Sequence, residues 1–162
     1  MMLAHSAREG HIRIMFVCHG NICRSPMAEF ILKDMLEREG LSHRVTVASS
    51  ATSTEEIWNG IGNPVYPPAR DELLMHGIRC DGKRAVQLRR EDYGKYDLFV
   101  GMDAANIRNM QKILGGDPDG KIRRLMPNGA DVSDPWYSRR FDVAYRDIYE
   151  GCEALLKLIK EM

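Results

Sequence analysis

A mostly apolar run at residues 12–17 (Ile-Arg-Ile-Met-Phe-Val), rich in β-branched side chains and too short for a helix, predicts a buried strand. After a short polar loop the period changes. Met27, Phe30, Ile31 and Met35 recur at helical spacing to about Glu39, and Gly40 supplies the stop. Ser25 reads as the N-cap of this helix and Pro26 as its first residue. Residues 44–49, 96–102 and 121–126 predict three further strands, whereas 85–88 is too short to assign. A helix over 69–76 is closed by Gly77, and another opens at Asp103, read as its N-cap, and runs to about Leu114. In the last segment, 145–159, Ile148, Cys152, Leu155, Leu156 and Ile159 form one stripe that should pack on the sheet. Residues 53–68 read as a long connection. Its Gly60-x-Gly62 is no dinucleotide fingerprint, because no strand precedes it and Pro64 follows. Four strands alternating with helices argue for an α/β fold with a doubly wound parallel sheet, whose ligand site belongs at the carboxyl ends of the strands.

Composition narrows the class. At 162 residues one domain is expected, over 11–162, with residues 1–10 a disordered extension that carries no function. Zero formal net charge argues against nucleic acid or a membrane surface as partner. Four cysteines, with no signal peptide or apolar span, point to a reducing cytoplasm and not to a disulfide scaffold.

The chemistry gathers in Cys18-His19-Gly20-Asn21-Ile22-Cys23-Arg24-Ser25-Pro26, between the first strand and the first helix. Loop amides and the unpaired N–H groups of a helix start can converge there on a phosphate-like anion. A helix N-terminus and a nearby guanidinium favour a thiolate, so Cys18 reads as a nucleophile beneath the bound group. Arg24 can grip two phosphoryl oxygens and hold them as charge shifts. Gly20 allows a tight or left-handed turn; Asn21 tolerates one and can fix the loop from within. Ser25 can donate to the sulfur. Cys23 is open between a partner in a disulfide with Cys18 and a small packing residue. Cys18 and Cys23 could also be half of a zinc site with His11 and His19 near, but Cys80 and Cys152 stand alone, so no metal is expected.

The stretch Val17-Cys18-x-Gly20-Asn21-Ile22-Cys23-Arg24-Ser25-Pro26 resembles the signature of the low-molecular-weight protein tyrosine phosphatases, and the resemblance runs from about His11 to the C-terminus. It implies a flavodoxin-like strand order, 2-1-3-4, a Cys18–Cys23 redox pair, a Ser49 that hydrogen-bonds Asn21, and a His76 that supports the same asparagine. Met102-Asp103 is similar to a landmark of the family at a strand end. The chain departs from the family at Tyr66-Pro67-Pro68, where Asp-Pro-Arg is familiar, and at Ser49-Ser50-Ala51-Thr52, where Ser-Ala-Gly-Thr is common. These changes touch the rim of the pocket and not its chemistry. Trp58, Trp136 and Tyr137 are candidates for that rim, with a core-anchoring role the alternative for Trp58.

A phenol leaving group needs an acid, since its unperturbed pKa is about 10. Asp134-Pro135-Trp136-Tyr137 is similar to the family's acid loop, with Trp136 where tyrosine or phenylalanine is commoner; Asp131 is the nearby competitor. The expected activity is metal- and cofactor-free hydrolysis of phosphotyrosine in a protein or peptide by a monomer, through a cysteinyl-phosphate. Phosphate-like anions are the expected ligands. Three rivals share the cradle. An arsenate reductase would need resolving cysteines, and only Cys80 is placed for that. A protein-arginine phosphatase tends to carry threonine at the position of Ile22. An inactive phosphate-binding module would have no use for a complete nucleophile, arginine and acid.

Overall fold

The computed structural model describes residues 10–162, so most of the extension expected at 1–10 lies outside the described residues. Strand β1 (Ile12–Cys18) lies inside a parallel sheet between β2 (Val45–Ala51) and β5 (Leu98–Gly101), and β6 (Ile122–Arg124) completes the order β2-β1-β5-β6. That is the order which the resemblance implies. Helix α1 (Arg24–Arg38) and the C-terminal helix α5 (Phe141–Lys160) cover the face of Ile12, Ile14 and Phe16. Helix α3 (Ala104–Leu114) covers the face of Met15 and Val17 with Met110 and Leu114. A strand covered on both faces must be apolar on both, which is why β1 reads as a run instead of an alternation. Its one charge, Arg13, is met by buried Asp97, which accepts the Arg13 N–H at 2.8 Å and lies 3.5 Å from the guanidinium.

The structure corrects several boundaries. Helix α1 begins at Arg24, not after Ser25: Met27 N–H donates to Cys23 O at 3.0 Å, and no side chain caps the start. The serine hydroxyl is engaged elsewhere. Helix α2 (Pro67–Met75) starts at a proline whose fixed φ suits a first helical position. The connection at 53–68 contains a small hairpin, β3 (Ile57–Trp58) and β4 (Ile61–Gly62), closed by Asn59 (φ 51°) and Gly60 (φ 75°). Two left-handed residues in an Asn-Gly pair are what a tight hairpin turn requires. A four-residue helix, α4 (Pro135–Ser138), precedes α5. Among the described residues no helix is long and apolar enough to cross a membrane.

Candidate active site

Cys18 ends the central strand at its carboxyl edge, and the chain turns there into α1. Three hydrogen-bonding groups surround its sulfur: Ser25 Oγ at 2.9 Å, Asn21 N–H at 3.3 Å and Ser25 N–H at 3.4 Å. Donors so placed stabilise negative charge on sulfur. The left-handed residue of the turn is Asn21 (φ 60°), not Gly20. Gly20 serves closeness instead, since a Cβ there would lie 3.2 Å from Glu56 Cγ.

Asn21 is 1% exposed and its amide is bonded at both ends. Its Oδ1 accepts the Val86 N–H at 3.0 Å, and its Nδ2 donates to Ser25 Oγ at 2.8 Å and Ser49 Oγ at 2.9 Å. The Ser49 contact has the geometry implied by the resemblance. That of His76 does not: His76 Nε2 lies 3.0 Å from Glu72 Oε2 and its ring stacks on Tyr145 at 3.7 Å. The His76 expectation is therefore corrected: its ring is taken up by Glu72 and Tyr145, and the Asn21 amide bonds to Val86, Ser25 and Ser49 instead. The flanking loops clamp the cradle's backbone. Thr52 N–H donates to Cys18 O and Ser53 N–H to His19 O, both at 3.0 Å, and Tyr66 N–H donates to Ile22 O at 2.8 Å. On the outside, His19 Nε2 meets Glu55 Oε2 at 2.9 Å.

Arg24 is 5% exposed and held from three sides. Its Nη1 donates to Val132 O at 3.2 Å, and its Nη2 donates to Asp103 Oδ2 at 2.9 Å and lies 3.6 Å from Asp134 Oδ2. Burial alone would lower its pKa, but Cys18, Asp134 and Asp103 outweigh that and raise it, so the guanidinium stays charged. Asp103 does cap α3, as expected, through Oδ1, which accepts Asn106 N–H at 2.8 Å. Its other oxygen serves Arg24, a role that the local pattern does not reveal. Asparagine caps a helix as well as aspartate does. Asp103→Asn is thus expected to leave the melting temperature nearly unchanged while lowering kcat/KM about tenfold through a less firmly held Arg24. Thermal melts beside initial rates check this.

Asp134 caps α4: Oδ1 accepts Trp136 N–H at 3.0 Å, leaving Oδ2 toward Arg24 with the side chain 35% exposed. A carboxyl so placed reaches both the cradle and water. The competitor Asp131 is engaged elsewhere, accepting Ala104 N–H at 3.1 Å and lying 3.3 Å from Arg124. Trp136 stacks obliquely on Tyr66 (5.6 Å) with Arg139 over its ring, which puts Tyr66, where the chain departs from the family, against a rim candidate. Tyr137 is exposed beside it, and Trp58, 80% exposed in the β3–β4 hairpin, is no core anchor. Burial, then Cys18, push the Cys23 thiol up to about 12, so it stands beside Cys18 as a neutral thiol. Cys23 is unpaired. Among the described residues no three His, Cys, Asp or Glu side chains are grouped to hold a metal.

A strand-end cysteine, a loop leading into a helix, a buried arginine and a facing carboxylate thus meet at the carboxyl edge of a parallel sheet. The family model of the low molecular weight phosphotyrosine protein phosphatases matches residues 13–162, and the chain belongs to that family and is a hydrolase. It is 36% identical over 155 residues to the low molecular weight protein-tyrosine-phosphatase YfkJ of Bacillus subtilis, covering 93% of this chain and 97% of that one. The crystal structure of YfkJ superimposes with a TM-score of 0.88 at 35% identity, over 95% and 98% of the two chains. The chain is also similar to Vibrio vulnificus Wzb, solved in complex with benzylphosphonate (26% identity, TM-score 0.78, 94% and 99% covered). A third likeness is to the arginine phosphatase YwlE (27%, 0.78, 92% and 96%), whose structure carries a phosphorylated active-site serine in place of cysteine.

Proposed function

We propose that this chain, as a single catalytic unit over residues 11–162, hydrolyses phosphotyrosine in proteins or peptides through a cysteinyl-phosphate on Cys18. The observation that carries the reading is the convergence of Cys18, Arg24 and Asp134: donors on the sulfur, and Arg24 3.6 Å from the carboxylate. In the first step the Cys18 thiolate attacks phosphorus in line, the bond to the phenolic oxygen breaks, and Asp134 gives that oxygen its proton. In the second, Asp134 takes a proton from water as the water attacks phosphorus; the S–P bond breaks, the Cys18 thiolate is regenerated and inorganic phosphate leaves. Arg24 and the amides of residues 19–25 hold the phosphoryl oxygens throughout, and Ser25 steadies the sulfur. The proposal includes action without metal or cofactor, as a cytoplasmic monomer, with Trp58, Trp136 and Tyr137 around the aromatic substrate and Cys23 as a redox neighbour of Cys18.

The likeness to YwlE favours phosphoarginine as a second reading. Ile22 speaks for tyrosine, because an apolar branched side chain offers nothing to a guanidinium and packs against a phenyl ring. Phosphate release from paired phosphotyrosine and phosphoarginine peptides, with EDTA present, decides between them. Release from phosphotyrosine alone is expected, and a preference for phosphoarginine would overturn the Ile22 reading.

A further inference from the structure

Behind the cradle, away from its mouth, lies a buried ion pair that the two-step chemistry does not use. Glu29 of α1 has its side chain 6% exposed. Its Oε1 accepts the Ser49 hydroxyl at 2.6 Å and its Oε2 accepts Lys33 Nζ at 2.5 Å. Lys83, from the loop after α2, enters with its side chain 12% exposed. It donates from Nζ to the Ser49 carbonyl at 2.9 Å and stands 3.8 Å from Glu29 Oε1. Burying two charges costs stability unless both are bonded, and here both are bonded to one residue, Ser49.

Counting protons gives the pair a consequence for the nucleophile. A carboxylate only accepts, so the single hydroxyl proton of Ser49 goes to Glu29 and its lone pair takes an Asn21 Nδ2–H. The Val86 N–H on Oδ1 settles which end of the Asn21 amide faces inward, and Nδ2 spends its two hydrogens on Ser49 and Ser25. Ser25 has then accepted, and its own proton is left for Cys18 Sγ. In the chain Glu29–Ser49–Asn21–Ser25–Cys18 the Asn21 amide donates both ways, toward Glu29 through Ser49 and toward the sulfur through Ser25, and the second branch ends in a donor on the sulfur.

We propose that Lys83 is a positioning residue for Cys18: it holds the Ser49 backbone and offsets the charge of Glu29. Glu29 can then anchor this chain without opposing the thiolate. The proposal deepens the function given above and rests on Cys18 acting as a thiolate. The charged or titratable groups that face Lys83 are Glu29 and Lys33 from α1 and Cys18 from β1. Burial pulls the lysine below its ordinary value, and Glu29, 3.8 Å away, opposes this by favouring the cation.

The test is the pH dependence of Cys18 alkylation by iodoacetamide, read on the Cys18 peptide by mass spectrometry, beside melting temperature and turnover. Lys83→Met is expected to raise the midpoint by about one pH unit, a tenfold loss of thiolate below it, with a matching fall in kcat/KM. Lys83→Arg should restore the midpoint, and Glu29→Gln added to Lys83→Met should bring it back down by removing the charge that the lysine offsets. An unmoved midpoint in folded Lys83→Met, or no recovery in the double variant, overturns the proposal. Should the methionine variant not fold, Lys83→Gln, which can still donate to Ser49 but is uncharged, carries the same expectation. Alkylation does not depend on the substrate. A shifted midpoint in an enzyme inert toward phosphotyrosine would sink the proposed function alone, and an unmoved midpoint in an active enzyme would sink this inference alone.

Discussion

Cys18→Ser is expected to lower turnover of a phosphotyrosine peptide by about a millionfold, the scale seen when a covalent enzyme loses its nucleophile. A serine hydroxyl at that position would need a base, and the sulfur's neighbours are donors: the Ser25 hydroxyl and the N–H groups of Asn21 and Ser25. None of them takes a proton. Phosphate binding should survive, because Arg24 stays fixed by Val132 and Asp103 through contacts that do not involve the sulfur. Initial rates together with calorimetric titration of inorganic phosphate check both halves, the loss of rate and the retained affinity.

Asp134→Asn should be the next most severe change. Losing a positioned general acid costs about 10²- to 10⁴-fold in rate, and the loss should fall on kcat with KM little changed. Asparagine can still cap α4 by accepting the Trp136 N–H, so the loop should keep its place. The effect must also depend on the leaving group. An aryl phosphate with a more acidic phenol departs without help, so the deficit in its first step should shrink while the second step, which needs a base for water, stays slow. A first-step loss that is uniform across leaving groups would instead make Asp134 a binding residue.

The parts of this site that were legible in the chain were those whose meaning is local. The run into Cys18, the left-handed tolerance of Asn21 and the stiff Asp134-Pro135 each carry their conformation within a few residues, and together they place a strand, a loop, a helix and an acid. The Asn59-Gly60 turn was present in the same way, but its two-residue strands are too short to show alternation. Ser25 offers two local uses for its hydroxyl, helix cap and sulfur donor, and only the geometry shows that it takes the second. His76 ends α2 as its His-Gly pair suggests, yet the direction of its ring is set by Tyr145 on a helix far along the chain. Asp103, Glu29 and Lys83 escaped for one common reason: their partners in the site are distant in sequence, and a single carboxylate has two oxygens that can serve two elements at once.

The central claim is that phosphate passes through a covalent bond to Cys18. It is tested most directly in Asp134→Asn supplied with an aryl phosphate of acidic phenol, where the first step needs no acid and the second lacks its base. Rapid acid quench and peptide mass spectrometry should then find a phosphoryl group on Cys18, with a burst of phenol of about one per active site ahead of phosphate. Phenol and phosphate released together, with no phosphoryl group on Cys18 at any time, would contradict the account and mean that water attacks the ester directly.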